Sequence, residues 1–129
     1  MRHGKKVKKL GRTAAHRKAL IKNMLRSLFV HERIKTTLAK AKLVQKHAER
    51  LIRYAQDKSV ARQRYVFRFL QNKQLVKHLV DDIAPRFQNQ QGGYTRIFKL
   101  DNRVGDSAEM ALLELTVKKT KEKEGSKKT

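Results

Sequence analysis

Apolar side chains at Leu20, Ile21, Met24, Leu25, Leu28 and Phe29 recur in pairs four residues apart, the period of a helix with one buried face. Thr13 stands where an N-cap hydroxyl opens such a helix. The pattern then breaks. Residues 31–37, HERIKTT, are polar apart from Ile34 and are β-branched at Ile34, Thr36 and Thr37, which suits a brief strand. Helical spacing returns with Thr37 or Thr36 as cap, and runs to about Gln56 on a stripe of Leu38, Ala41, Val44, Ala48, Leu51, Ile52 and Ala55. Ser59 caps a third, shorter helix carrying Val60, Ala61, Val66, Phe67, Phe69 and Leu70, and Asn72 caps a fourth carrying Leu75, Val76, Leu79, Val80 and Ile83. Pro85 is expected to stop that run, because it lacks an N–H and crowds the preceding turn. Asp81 and Asp82 oppose the dipole at this helix end, so Asp82 is expected to pair with Arg86, or Asp81 with Lys77.

Beyond it, residues 88–93, QNQQGG, read as a loop whose glycines permit a tight reversal. Two β-prone runs follow, residues 94–100 and 110–117, joined by residues 102–109. In the second, Leu113, Leu115 and Val117 alternate with Glu114 and Thr116, as a half-buried strand requires. The two runs are expected to pair as an antiparallel hairpin. No repeat of fixed period occurs. The order of arm, helix, short strand, three helices and two strands predicts a two-layer α+β domain over residues 13–117, with helices covering one face of a small sheet. Residues 1–12, MRHGKKVKKLGR, are too poor in aliphatics to fold alone and form a basic arm, and residues 118–129, KKTKEKEGSKKT, form a charged, low-complexity tail expected to be disordered.

Charge turns this outline into a statement about partners. The chain of 129 residues carries 33 basic and 11 acidic side chains, a net charge of +22. Residues 1–80 hold 23 basic and 3 acidic groups, residues 81–129 hold 10 and 8, so the field is one-sided. Ten lysines and arginines precede the first acidic residue, Glu32. Neighbouring acids normally moderate such repulsion; here the counter-charge must come from outside, from nucleic acid or an anionic membrane. Lys18, Lys22 and Arg26 repeat at helical spacing as one ridge, and the outer face of the second helix shows Lys40, Lys42, Lys46, Arg50 and Arg53 against Glu49 alone.

Catalytic and metal chemistry find no support. There is no cysteine, which removes disulfides, thiolate zinc sites and cysteine nucleophiles. Histidines 3, 16, 31, 47 and 78 never stand three or four apart, against a helical metal site. His31-Glu32 opens like a zinc-protease motif, but position 35 is lysine. Gly92-Gly93-Tyr94-Thr95 lacks the lysine and spacing of a P-loop, and no glycine elbow frames Ser27, Ser59 or Ser107. No run approaches the roughly 18 apolar residues of a membrane span. The expectation is a protein with no catalytic residue, no metal, no cofactor, no small-molecule substrate and no membrane.

The candidate RNA contacts are Arg2, His3, Lys5, Lys6, Lys8, Lys9 and Arg12 on the arm; His16, Arg17, Lys18, Lys22 and Arg26 on the first helix; and Lys35, Lys40, Lys42, Tyr94 and Arg96 beyond it. Arginines fork onto phosphates or stack on splayed bases, while lysines act as point charges. Tyr94 and Arg96, beside the double glycine, could meet RNA by stacking and by pairing, Tyr94 being equally placed as a core-edge residue. For the ridge the alternative is a solvated face, and for the arm an idle cationic tail or an organellar transit peptide.

The opening Met1-Arg2-His3, the run Thr13-Ala14-Ala15-His16-Arg17, Asn23-Met24 with Ser27-Leu28, residues 31–37, Lys40-Ala41-Lys42, and Ala84-Pro85-Arg86-Phe87 with residues 92–97 together resemble the bacterial large-subunit ribosomal protein seventeen family. The likeness spans residues 1 to about 117. It implies an α+β domain bound to large-subunit ribosomal RNA at the solvent side of the subunit, near the exit of the peptide tunnel, with neighbouring ribosomal proteins, in the cytoplasm, and with neither catalysis nor cofactor. Because it begins at Met1, it also implies that the arm belongs to the mature protein. Ala39 replaces the proline many members carry after Thr-Thr-Leu; proline there is favourable but replaceable, so the cap at Thr37 is expected to survive. Rival readings are a DNA-packaging protein, whose duplex would satisfy the same charges, and a peripheral membrane protein.

Overall fold

A computed structural model of the chain describes residues 14–118, so the expected arm, the cap at Thr13 and the tail beyond Lys118 lie outside the described residues. The first helix, α1 (Ala14–His31), buries Leu25, Leu28 and Phe29 completely, with Ile21 and Met24 packed at the core edge. It ends at Glu32, whose φ of 65° closes the last turn by donating its N–H to the Leu28 carbonyl at 2.6 Å. Glycine or asparagine usually takes this left-handed position. Here the side chain offsets the strain: the Glu32 carboxylate accepts both guanidinium nitrogens of Arg86, one at 3.1 Å, and its carbonyl accepts the Leu115 N–H at 3.0 Å.

Strand β1 (Arg33–Thr37) follows at once, then α2 (Leu38–Ala55). All seven stripe positions of α2 are buried, none more than 9% exposed. Thr37 occupies the N-cap position in an extended conformation, but its hydroxyl caps nothing. The expected side-chain cap is corrected: the support at this helix start is a backbone one, the Leu38 N–H donating to the Glu109 carbonyl at 2.8 Å, where the chain entering the last strand runs alongside. Helix α3 (Val60–Leu70) is capped by Ser59, which accepts the Arg62 N–H at 3.4 Å, and α4 (Lys73–His78) by Asn72, which accepts the N–H groups of Gln74 and Leu75 at 3.0 and 3.2 Å.

Pro85 does not stop the chain as the sequence suggested. After α4 the backbone widens into a π-helical turn, Leu79–Ile83, then tightens into a 3-10 turn, Ala84–Phe87. Proline's missing N–H and its crowding of residue i−4 are incompatible with a straight α-helix. In the wide turn the ladder has already shifted, and Pro85 falls at the first positions of the 3-10 turn, where its N–H is not needed. Rotation therefore continues far enough to bury Ile83, Ala84 and Phe87.

The remaining strands, β2 (Thr95–Lys99) and β3 (Met110–Leu115), pair antiparallel as expected, Thr95 opposite Leu115 and Lys99 opposite Ala111. On its other edge β3 pairs with β1, Arg33 opposite Glu114 and Thr37 opposite Met110, giving the order β1-β3-β2. Ala111, Leu113 and Leu115 point from the central strand into the helical layer and are fully buried. Helix α2 touches all three strands as well as α1 and α3. The result is the two-layer α+β arrangement. Gly92 and Gly93, at φ 152° and 64°, make the reversal into β2, where a side chain would be strained even though it met no steric obstacle at Gly92.

The Glu32–Arg86 pair is 16% and 10% exposed, and Arg86 also reaches Asp82 at 3.2 Å, the pairing the sequence suggested. Replacing Arg86 by methionine removes both guanidinium hydrogen bonds from the largely buried Glu32 carboxylate and should cost about 3 kcal/mol of unfolding free energy. Urea denaturation of Arg86→Met, Glu32→Gln and the double variant checks this. A loss below about 1 kcal/mol would mean that the pair behaves as an exposed one.

Candidate nucleic-acid interface

The structure sorts the candidate contacts into separate places. Lys18, exposed, and Lys22, half-buried, rim a groove where α1 meets α2 and α3. Lys35 and Lys40 rim a second groove, of about 310 Å3, between α1 and the β1–α2 junction. Lys42 borders a third, beside Thr37 and Glu109. His16 and Arg17 lie on the first turn of α1, exposed and half-buried. Arg2, His3, Lys5, Lys6, Lys8, Lys9 and Arg12 lie outside the described residues.

Two candidates, Arg26 and Arg96, are engaged differently from what spacing suggested, and Tyr94 takes the core place that was its alternative reading. Arg26 is not an outward member of the ridge: its Nε donates to the Leu70 carbonyl at 2.7 Å, and its terminal nitrogens approach Asn23 and Gln71 at 3.4 and 3.5 Å. It completes the C-terminus of α3, where unsatisfied carbonyls and the helix dipole favour a cation. Tyr94 is 3% exposed, its ring edge-on to Phe87 at 5.3 Å and its hydroxyl donating to the Gln90 carbonyl at 3.3 Å. A buried ring offers no face to a base. Arg96 stays on the open face of the sheet, half-exposed above the Phe98 ring at 5.1 Å, but its Nε is bonded to Glu114 at 2.7 Å.

A feature that sequence reasoning underweighted is the outer face of α2. Glu49, counted there as the sole moderating acid, turns to β2 instead. Its carboxylate accepts the N–H groups of Tyr94 and Thr95 at 3.0 and 2.9 Å and the Thr95 hydroxyl at 2.9 Å. Lys42, Lys46, Arg50 and Arg53 are thereby left as an exposed cationic ridge, and among the described residues none of the four forms an ion pair. Their helical spacing is readable in the sequence; the direction of Glu49 is not. The field reaches the neighbouring His47, half-buried against Phe69. Burial first, then the charges of Arg50 and Lys46, hold its imidazole below the ordinary value of 6.5.

Glu114 is the counter-example, an acid on the sheet face away from the helices and yet 3% exposed. Arg96 and Lys118, at 2.7 and 2.6 Å, close over it. Burial pushes its pKa up, but the hydrogen bonds from Lys118 and Arg96 outweigh burial and hold the carboxyl below its ordinary value. Lys118, the first residue of the expected tail, is thus tied to the sheet. Among the described residues no cluster of three or more His, Asp or Glu side chains could hold a metal ion, and no helix is long and apolar enough to cross a membrane.

The sequence profile described as Ribosomal protein L17 matches residues 20–116. The chain belongs to the ribosomal protein L17 family. This L17 chain is 48% identical over 115 residues to the large ribosomal subunit protein bL17 of Fusobacterium nucleatum, covering 89% of this chain and 99% of that one. It is 50% identical over 115 residues to the bL17 protein of Amoebophilus asiaticus, covering 89% of this chain but spanning only 59% of that longer protein. With the bL17 protein of Flavobacterium johnsoniae it shares 42% identity over 139 aligned positions, 98% of this chain and 85% of the other. L17 proteins are structural, non-enzymatic components of the ribosome.

Two measurements test the assignments within this L17 domain. Arg26→Met should lower unfolding free energy by about 1.5 kcal/mol, the worth of a hydrogen bond from a charged donor, while leaving RNA affinity nearly unchanged. A large affinity loss at unchanged stability would return Arg26 to the interface. For Glu114, a folded pKa below the unfolded one means that its stabilisation is fully present above the ordinary value of 4.5 and is lost as pH falls through the folded value. The stability difference between the wild type and Glu114→Gln should therefore narrow below pH 4.5 in urea titrations. A difference that stays constant to pH 3 contradicts the pairing.

Proposed function

We propose that this L17 protein is a structural constituent of the large ribosomal subunit that binds large-subunit ribosomal RNA by charge neutralisation, close to the exit of the peptide tunnel and beside neighbouring subunit proteins, in the cytoplasm. Its relatives' name, large ribosomal subunit protein, supports the assembly, and the electrostatics of the domain support the partner. The observation that carries the reading is the inward turn of Glu49, which leaves Lys42, Lys46, Arg50 and Arg53 as a like-charge ridge. Adjacent like charges cost a helix a few tenths of a kcal/mol per pair, roughly, unless an anion screens them. RNA phosphates do so, and they release counterions in the process.

Lys18 and Lys22 on α1 and the lysines and arginines of residues 1–12 extend the same polarity toward the N-terminus. The arm and α1 bring cations between RNA segments that otherwise repel one another. Lys35 and Lys40 reach the same partner along the other groove of α1.

Replacing Lys42, Lys46, Arg50 and Arg53 together by glutamine should flatten the log–log dependence of RNA affinity on salt by about 3, since each lost phosphate contact lowers the slope by roughly 0.7 to 0.9. Fluorescence titrations with structured RNA at several salt concentrations measure it. An unchanged slope would remove α2 from the interface. The native protein should also sediment with large subunits and leave them only at high salt or after ribonuclease treatment; sedimentation free of them overturns the reading.

A further inference from the structure

The seam between α2 and α3 holds a row of rings that helix packing alone does not require. Tyr54 meets Tyr65 edge-on at 4.6 Å, Tyr65 meets Phe69 at 5.4 Å, and Phe69 meets His47 at 5.8 Å. The core aromatics Phe29 and Phe87 are fully buried, whereas the four rings of the row are only partly so. At its α1 end the row opens into a groove of about 460 Å3, within the usual size range of ligand sites. Tyr65, Phe69 and His47 line it, and Lys18, Lys22 and Arg68 stand around it.

We propose that this groove receives an unpaired RNA nucleobase, stacked on Phe69 beside Tyr65, with the flanking phosphates held by Lys18, Lys22 and Arg68. The proposal rests on the RNA-binding reading and names where the chain does more than neutralise charge. Its two halves match the two halves of a nucleotide: an aromatic wall for the base, cations around it for the backbone. Among the described residues no acidic side chain lines the groove. His47, held neutral by burial and by its cationic neighbours, adds a flat uncharged ring rather than another charge. Arg68, exposed on α3, can fork onto a phosphate or lie over the base. Among the described residues, three further grooves lack this pairing of features. That between α3 and α4 has one ring, Phe67, and an acid, Asp81, while those beside Lys35 and Lys42 have no aromatic wall.

The test uses the full chain and two RNA hairpins, one with a single bulged 2-aminopurine and one fully paired. Base stacking on aromatic side chains tolerates sequence, so an arbitrary hairpin serves. The bulged hairpin should bind about tenfold or more tighter, and its 2-aminopurine fluorescence should be quenched on binding. Phe69→Leu keeps the apolar volume and removes the ring; it should weaken the bulged complex by about tenfold to a hundredfold. The salt slope and the affinity for paired RNA should not change. If both hairpins bind equally and the fluorescence does not respond, the groove is a packing seam and the proposal is overturned, while RNA binding as such stands. If neither hairpin binds at 50 mM salt, the RNA-binding reading itself falls and takes the proposal with it. Should Phe69→Leu prove unfolded by circular dichroism, the wild-type preference and quenching decide the matter alone.

Discussion

The single apolar stripe of α2 is the constraint on which the rest of this domain turns. A three-stranded sheet has one face to bury and each flanking helix one side, and α2 is where they meet. Once Leu38, Ala41, Val44, Ala48, Leu51, Ile52 and Ala55 face inward, the rotation of the helix about its axis is set. Lys42, Lys46, Arg50 and Arg53 then have no choice but to face outward, and Glu49, at the margin of the stripe, comes within reach of the start of β2. The cationic surface is thus a consequence of how the core packs, and a substitution that rotated α2 would dismantle both together.

Three acids of the domain are spent on structure. Glu32 holds the left-handed end of α1 and clamps Arg86, Glu49 receives backbone donors at the entrance to β2, and Glu114 lies beneath Arg96 and Lys118. In each of the three the buried or half-buried carboxylate is matched by donors, and leaving such a group unmatched costs more than a surface ion pair returns. Among the described residues the basic ridge is consequently left without a paired acid. Charge excess, often read as a solubility device, is here the complement of where the few carboxylates were needed.

Much of this was legible along the chain. The α2 stripe, the caps at Ser59 and Asn72, the pairing of β2 with β3 and the Asp82–Arg86 contact all depend on spacings of two to four residues or on one adjacent turn. The π-helical turn before Pro85 was not legible, because both a broken and a widened helix satisfy proline's local demands, and the burial of Phe87 selects the second. Nor was the idle hydroxyl of Thr37 legible: it stands at the cap position without a cap hydrogen bond, while the first helical N–H, that of Leu38, goes to the Glu109 carbonyl from a distant part of the chain.

By itself the sequence determined the elements, the order in which they come, the α+β class and the one-sided charge, since periodicity, capping and composition act within a few residues of one another. Only the tertiary structure decided which cations remain outward. Arg26 and Lys22 share a helical spacing, yet Arg26 reaches the end of α3 and Lys22 rims the aromatic groove. Tyr94 had the composition of a base-stacking residue and became core because Phe87 lies against it. A charged or aromatic side chain takes its role from the partner packed opposite, and that partner comes from a distant part of the chain.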